Sequence, residues 1–356
     1  MKPFRESILN ASLNSEIIKI FTGTPEELVL EIQKSNPFIH VFDCSNHDLI
    51  KKFKNLDAFE FKFLFSQSDW VLISYIERMP ELITIVEEIV QEHFLSKFVL
   101  IGQRKSVFAK SNSSSPLYFY SLPNVSYYLT QYGVFRAGEL LPKWLIHGMT
   151  PNEKLAYQQD KAPWNSTTKR HRVNKPEIVN KILIYIALHT NKTISFNEIG
   201  VWVGIDNETA QRYIMLLIDF GLITCLTSFS SRQKYEYIKG FRVSFVDNYF
   251  LNFYKNNFAE LPLRADVQEL WKSWLLAEKL KIDAQIQKTN GYFFWQSHTR
   301  QHIDLIVEEE SGKKEAFIFS WMTNRKPSIP PLFTRYYPDI PVKIISPSNY
   351  LSFLTP

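Results

Sequence analysis

Apolar runs of strand length recur in the first third of the chain, at residues 17–21, 38–42, 70–76, 98–101 and 117–120. Stretches with helical spacing separate them. One opens on Leu28, Leu30 and Ile32, and in another Leu82, Ile85, Val86, Ile89 and Val90 return at three- and four-residue intervals. Strands that alternate with helices predict an α/β fold built on a parallel sheet. The polar, proline-ended stretch 111–116 predicts an exposed loop. From Gly133 to about Trp164 the pattern predicts short helices punctuated by Pro142, Pro151 and Pro163, with 152–166 polar enough to be a connector.

The pattern changes after Lys175. Ile178, Ile182, Tyr185 and Ile186 share one helical face, and a second helix opens at Ser195 with the spacing Ser195-x-x-Glu198. In such a capping box the hydroxyl and the carboxylate satisfy free amides reciprocally. A third helix spans 206–220 and stops at Gly221, a helix C-cap. Strands at 222–226 and 235–238, joined by a polar loop over 227–234, complete a winged helix-turn-helix. A long helix over 265–282 and strands at 292–295, 303–307, 316–321 and 342–345 then predict a small α/β unit. The domain boundaries expected are 1–130 for the α/β core, 131–168 for a helical segment and connector, 169–245 for the winged helix, and 246–356 for the last α/β domain.

At 356 residues and 45% hydrophobic content, the chain has ordinary cores to build. Its 28 Phe, 17 Tyr and 8 Trp contrast with only 11 Gly, which leaves few places for glycine-built phosphate loops. Cys44 and Cys225 have no CxxC partner, so neither a disulfide framework nor a cysteine zinc site is supported. No apolar run reaches signal or membrane-spanning length, and the protein is expected to be cytoplasmic with no membrane partner. Between Lys169 and Arg242 lie eleven Lys or Arg against six Asp or Glu, an excess equal to the +5 net charge of the whole chain. One segment therefore carries the basic bias.

Four stretches carry a family resemblance. The longest is VLISYIERMPELITIVEEIVQEHFLSKFVLIGQRK (71–105), where Pro80-Glu81-Leu82 opens a helix at a fixed distance from Lys97-Phe98 and Gly102. The others are FIHVFDCSNHDLIKKF (38–53), LLPKWLIHGMTP (140–151) and YFFWQSHTRQHIDLIVEEESGKKEAFIFSW (292–321). In this order the chain resembles a prokaryotic family with an AAA+-type ATPase core, a winged helix and a C-terminal restriction-nuclease-like domain. The resemblance implies a P-loop parallel sheet with helices on both faces, a lid within 131–168, and a nuclease-like fold after residue 245.

The chemistry that this family would need is missing at each expected position. A phosphate loop, GxxxxGK[ST], wraps phosphates in backbone amides and supplies a Lys and a magnesium-binding hydroxyl. Gly23 matches its first glycine, but Leu28, Val29 and Leu30 stand at the second glycine, the Lys and the Ser/Thr, and Glu26 and Glu27 add negative charge. No Gly-Lys-Ser/Thr occurs anywhere in the chain. The acidic pair that would hold hydrated magnesium is replaced by Ser74 and Tyr75. The nearest carboxylate, Glu77, is expected at a helix start or on the surface, and Gln103 and Arg104 fill the turn where relatives have small hydroxyl residues.

The nuclease-like domain keeps Asp304 but has Ile318 and Ser320 in place of the Glu and Lys of Glu-x-Lys, while strand register turns Glu315 elsewhere. His298 and His302 fall in a predicted hairpin turn, where they would supply turn polarity. No catalytic residue, metal or cofactor is therefore expected.

The winged helix keeps its prospects. Its third helix offers Asn207, Glu208, Thr209, Gln211 and Arg212 to a major groove. Arg232 and Lys234 on the wing, with Lys169, Arg170, Arg172 and Lys175 ahead of the first helix, could meet phosphates. Glu208 opposes this, and a winged helix also serves as a packing or protein-contact module, so DNA and protein partners both stay open. The expected function is that of a catalytically defective ATPase-like scaffold acting through DNA or protein binding. The alternatives are an ATP-binding or ATP-hydrolysing protein with a non-standard nucleotide site, and a pure protein-interaction module. Trp271 and Trp274 are expected in the core.

Overall fold

The structure is a computed structural model that describes residues 17–22, 25–35, 38–54, 56, 58–65, 68–92, 96–110, 117–120, 124–149, 175–230, 240–286, 288–322 and 327–355. The chain divides into two compact units, Met1–Ser121 with Asp219–Gly221, and Leu122–Ile218 with Leu222–Pro356.

In the first unit, β1 (Ile17–Thr22), α1 (Pro25–Ser35), β2 (His40–Asp43), α2 (His47–Phe53), α3 (Ala58–Phe65), β3 (Trp70–Ser74), α4 (Glu81–Gln91), β4 (Lys97–Gly102) and β5 (Leu117–Tyr120) follow one another. The five strands form one all-parallel sheet in the order β2-β3-β4-β1-β5. Alternate residues of the central strands enter two different cores. Ile17, Val71, Ile73, Phe98 and Leu100 pack with Phe53, Phe61, Phe65 and the apolar stripe Leu82, Ile83, Val86 and Ile89 of α4. Ile18, Ile20, Leu72, Val99 and Ile101 pack instead with Leu28 of α1. Successive side chains of a strand point to opposite faces, so this split means that helices cover both sides of the sheet. The strand expected over 70–76 ends at Ser74, because Tyr75 turns into the left-handed region (φ 56°) and Ile76–Arg78 wind into a 3-10 turn.

The second unit begins with α5 (Val125–His147). Pro142 does not punctuate it; the break falls at Gly133 (φ 77°, ψ 173°), and the proline sits within the second half of the helix. Gly138, whose carbonyl the proline leaves without its helical donor, is exposed, so water can satisfy that carbonyl. Buried polar groups hold both ends of α5. Glu278 accepts the Val125 amide at 2.7 Å. At the other end Asn248 and Asn252, both fully buried, donate to the carbonyls of Leu145 and Ile146, and Asp247 accepts the Met149 amide at 3.0 Å. Those are the orphan groups that a helix leaves at its termini.

Next come α6 (Pro176–Leu188), β6 (Thr193–Ile194), α7 (Phe196–Val203), α8 (Asn207–Asp219), β7 (Ile223–Ser228) and β8 (Phe241–Phe245). The Ser195–Glu198 capping box forms in both directions, and Gly221 takes a left-handed φ of 65° just beyond α8. The strand that pairs antiparallel with β7 is β8, whereas the segment expected to do so, 235–238, lies outside the described residues. β6 adds to the far side of β8. The chain continues through α9 (Asn248–Lys255), α10 (Val267–Gln285), β9 (Gly291–Gln296), β10 (His302–Glu308), β11 (Lys314–Phe319), α11 (Pro331–Tyr336), β12 (Val342–Ile345) and α12 (Tyr350–Leu354).

Here the structure departs from the expected domain plan. The last strands do not form a separate sheet: β9 pairs parallel with β7, giving one seven-stranded mixed sheet in the order β12-β11-β10-β9-β7-β8-β6. One core also runs through the unit, joining Trp144 and Leu145 of α5, Leu226 of β7, Trp271 and Trp274 of α10, and Phe294 and Phe319. The expected boundaries at 168/169 and 245/246 therefore lie inside one compact unit. Hairpin and helix periodicity mark each element but not the long-range pairing that joins two of them. Among the described residues, no helix is long and apolar enough to cross a membrane.

Trp274 stacks on Trp144 and Trp271 and meets Tyr350 edge-on. Trp274→Ala should lower the unfolding free energy of this unit by about 3–5 kcal/mol, read as a shifted urea midpoint at an unchanged denaturant slope.

Candidate functional site

An α/β protein binds ligands at the strand ends of its parallel sheet. Between β1 and α1 only residues 23 and 24 intervene, and Gly23 is outside the described residues. A phosphate loop needs several non-helical residues whose amides converge on the phosphate. Here, from Pro25 onward, those positions are already helix. Leu28 is buried in the apolar cluster beside β1, Val29 packs against it, and Leu30 is exposed. The stretch expected as a degenerate loop is thus helical from Pro25 onward.

At the end of β3, Ser74 is buried, and its hydroxyl donates to Asp43 Oδ1 at 3.4 Å. Tyr75 inserts into the core and carries no acid function. Glu77 is neither a surface group nor a helix-start carboxylate. It lies in the 3-10 turn and accepts the Gln103 amide at 3.1 Å, tying the end of β3 to the end of β4. Burial pushes its carboxyl above the ordinary glutamate range, against the lowering effect of its backbone hydrogen bonds.

On α8 the expected recognition residues divide. Asn207, Glu208, Gln211 and Arg212 are exposed, as is Met215. Thr209 is instead engaged by Asp206, which accepts its amide at 2.7 Å and its hydroxyl at 2.8 Å. Those bonds hold the Asp206 carboxyl below its ordinary range. Two carboxylates, Asp206 and Glu208, thus stand at the helix N-terminus, where a phosphate would otherwise be welcome. Lys169, Arg170, Arg172, Arg232 and Lys234 all lie outside the described residues. The described part of 169–245 has five Lys or Arg and five Asp or Glu, so the basic excess belongs to the remaining residues. Leu188, Val201 and Trp202 are exposed on α6 and α7, with Trp202 in ring contact with Tyr185, which stacks on His189.

The remaining expected position is Asp304 on β10. The β9–β10 register shifts between Ile303 and Ile306, and Asp304 lies within that irregularity. Asp304 Oδ2 accepts the Phe319 amide at 2.8 Å, and Oδ1 accepts Lys272 Nζ of α10 at 2.7 Å. His302 Nε2 lies 3.7 Å from Oδ1, and desolvation lowers the imidazole pKa. Ile318 is buried among apolar side chains, the Ser320 hydroxyl donates to the Met322 carbonyl, and Glu315 pairs with Lys313 and Lys343. Among the described residues, no group of three His, Cys, Asp or Glu could hold a metal ion. His298 is exposed in the turn that connects β9 and β10.

Sequence reasoning missed the neighbours of Asp304. Arg242 of β8 is almost fully buried, lies 4.3 Å from the Phe294 ring, and donates to Gln296 Oε1 at 3.2 Å and Thr193 Oγ1 at 3.4 Å. Burial brings its guanidinium down to about 10, an effect that Asp304 opposes. Its one available signal was a lone charge within the short strand run FRVSF.

A family model described as a domain of unknown function (DUF8612) matches residues 166–276. The match takes in the expected winged helix, Arg242, and α10 as far as Leu276, with Lys272. No curated protein matches the chain.

Because the folded Glu77 holds its proton more tightly than the unfolded chain, its contribution to stability is full below the ordinary glutamate range. It is lost as pH rises through the raised value. The stability difference between wild type and Glu77→Gln should therefore shift toward the wild type as pH falls from neutral to acid, measured by urea unfolding at each pH. A pH-independent difference would contradict the buried position of this carboxyl.

Proposed function

We propose that this protein is a catalytically silent AAA+-like scaffold that binds double-stranded DNA through its winged helix. The observation that carries the loss of ATPase chemistry is the two-residue connection between β1 and α1, followed by a helix that seats Leu28 in the core. Leu28, Val29 and Leu30 supply neither the cation nor the metal-binding hydroxyl of a phosphate loop, and Ser74 and Tyr75 leave the neighbouring strand end without an acid pair. The all-parallel sheet covered on both faces supports the AAA+-like part of the reading. Asp304, already neutralised by Lys272, supports the absence of nuclease chemistry.

DNA binding draws on two features. Asn207, Gln211 and Arg212 sit on the exposed side of α8 with side chains suited to base edges. Six of the eleven basic residues between Lys169 and Arg242 flank the helices on either side in sequence, where they can contact phosphates. The acidic N-terminus of α8 limits phosphate contact at that end, so the flanking cations carry the affinity.

A protein partner is the second reading, favoured by the exposed Leu188, Val201 and Trp202 on the first two helices of the winged helix. Cytoplasmic residence accompanies both readings as part of the proposal.

Calorimetric titration of the full chain with ATP and magnesium should give no saturable heat, and no phosphate should be released. Micromolar binding with turnover would overturn the scaffold reading. Affinity for duplex DNA should fall steeply with salt. Changing Arg212, Arg232 and the Lys169/Arg170/Arg172 cluster to Ala should weaken it and reduce the slope of log affinity against log salt, by about one for each DNA phosphate no longer neutralised. Absent or salt-independent binding would leave the protein-partner reading.

A further inference from the structure

The seven-stranded sheet contains a small open cleft lined by Asn191, Arg242, Ser244, Lys272 and Asp304, with Leu226, Leu276 and Phe319 as its apolar wall. It has room for about one water-sized atom. Its charges do not balance. Both oxygens of Asp304 are occupied, by Lys272 and by the Phe319 amide. Among the described residues, Arg242, 7% exposed, has only the uncharged acceptors Gln296 Oε1 and Thr193 Oγ1 within hydrogen-bond reach. Two of its five N–H donors are thereby used, and the side chain lines the cleft. Ser244, 2% exposed, lines the same cleft, and its hydroxyl makes no hydrogen bond with a described residue. Desolvation lowers the imidazole pKa of His302, which lies beside Lys272, against the opposing effect of Asp304. Two cations and one carboxylate leave a net charge of +1 in a largely dehydrated place, which is costly unless an anion completes it.

We propose that this cleft is a binding site for a phosphate-type oxyanion, with Arg242 and Ser244 donating to one of its oxygens and Lys272 supplying charge from the side. A cleft of this size admits one oxygen from its open mouth and does not enclose a whole metabolite. The ligand is therefore either free phosphate or a phosphodiester presented by a nucleic-acid backbone. The site differs from the winged-helix face and does not rest on it. It joins β8 of the winged helix to α10 and β10, and both of its cations lie within the stretch matched by the family model. No metal takes part, because Lys272 already occupies the free oxygen of Asp304.

The test uses the full chain and inorganic phosphate, with sodium chloride of matched ionic strength as the control. Phosphate should raise the melting temperature saturably beyond the chloride control. Arg242→Gln, which keeps a polar side chain but removes the charge, should weaken binding about tenfold or more. Ser244→Ala, a change too small to threaten the fold, should weaken it by about fivefold. A response equal to that of chloride, or an unchanged phosphate affinity in folded Ser244→Ala and Arg242→Gln, would overturn the proposal. A second arm adds duplex DNA of arbitrary sequence. Competition between DNA and phosphate, together with weaker DNA binding by Ser244→Ala, assigns the site to a backbone phosphate. Saturable phosphate binding without competition assigns it to the free anion.

Discussion

Two residue pairs, Thr227 with Phe293 and Ser228 with Phe294, join β7 to β9 and make β6–β8 and the strands β9–β12 parts of one sheet. The Phe229 amide extends this pairing by donating to the Phe294 carbonyl at 2.7 Å. Much of the second unit depends on that short parallel pairing. It brings β8, and with it Arg242, beside the Phe294 ring and within electrostatic reach of Asp304. It also lets Leu226 and Phe294 enter the same core as Trp271 and Trp274. Parallel pairing of strands far apart in sequence is entropically slow to form, so it is held by the core behind it and not by local turns.

That core has an uncommon amount of polar chemistry inside it. Asp247, Glu278, Asn248 and Asn252 are all buried, and together they satisfy both termini of α5. Glu278 is further paired with Lys281, and desolvation still raises both the Glu278 and the Asp247 carboxyls. Helix ends buried without partners would be more costly than these side chains are. The consequence for function is that α5, where the family resemblance implies a lid, is built into the second unit by buried hydrogen bonds at each end.

Much of the candidate chemistry was legible as loss. Leu28, Val29 and Leu30 where the resemblance expects Gly, Lys and Ser/Thr, and Ile318 and Ser320 where it expects Glu and Lys, could be read without coordinates, because residue identities at fixed spacing need none. The depth of the change could not be read this way. That Pro25 already begins a helix, that Glu77 braces two strand ends, and that Thr209 serves the Asp206 cap all depend on hydrogen bonds between groups whose geometry one-dimensional spacing leaves open. The kink of α5 was likewise assigned by pattern to Pro142, yet it falls at Gly133, the residue free to take a positive φ.

By itself, the sequence determined the alternation of strands and helices in the first unit and the three helices and capping box between Pro176 and Asp219. These follow from periodicity, capping chemistry and residue identity, which act over a few residues. Only the tertiary structure decided that β6–β8 and the C-terminal strands share one sheet and one core, and that Arg242, Ser244, Lys272 and Asp304 line one cleft. Those four residues come from β8, α10 and β10. Their meeting depends on strand register, on the register shift around Asp304 and on the burial of Arg242 among uncharged acceptors, none of which local sequence encodes.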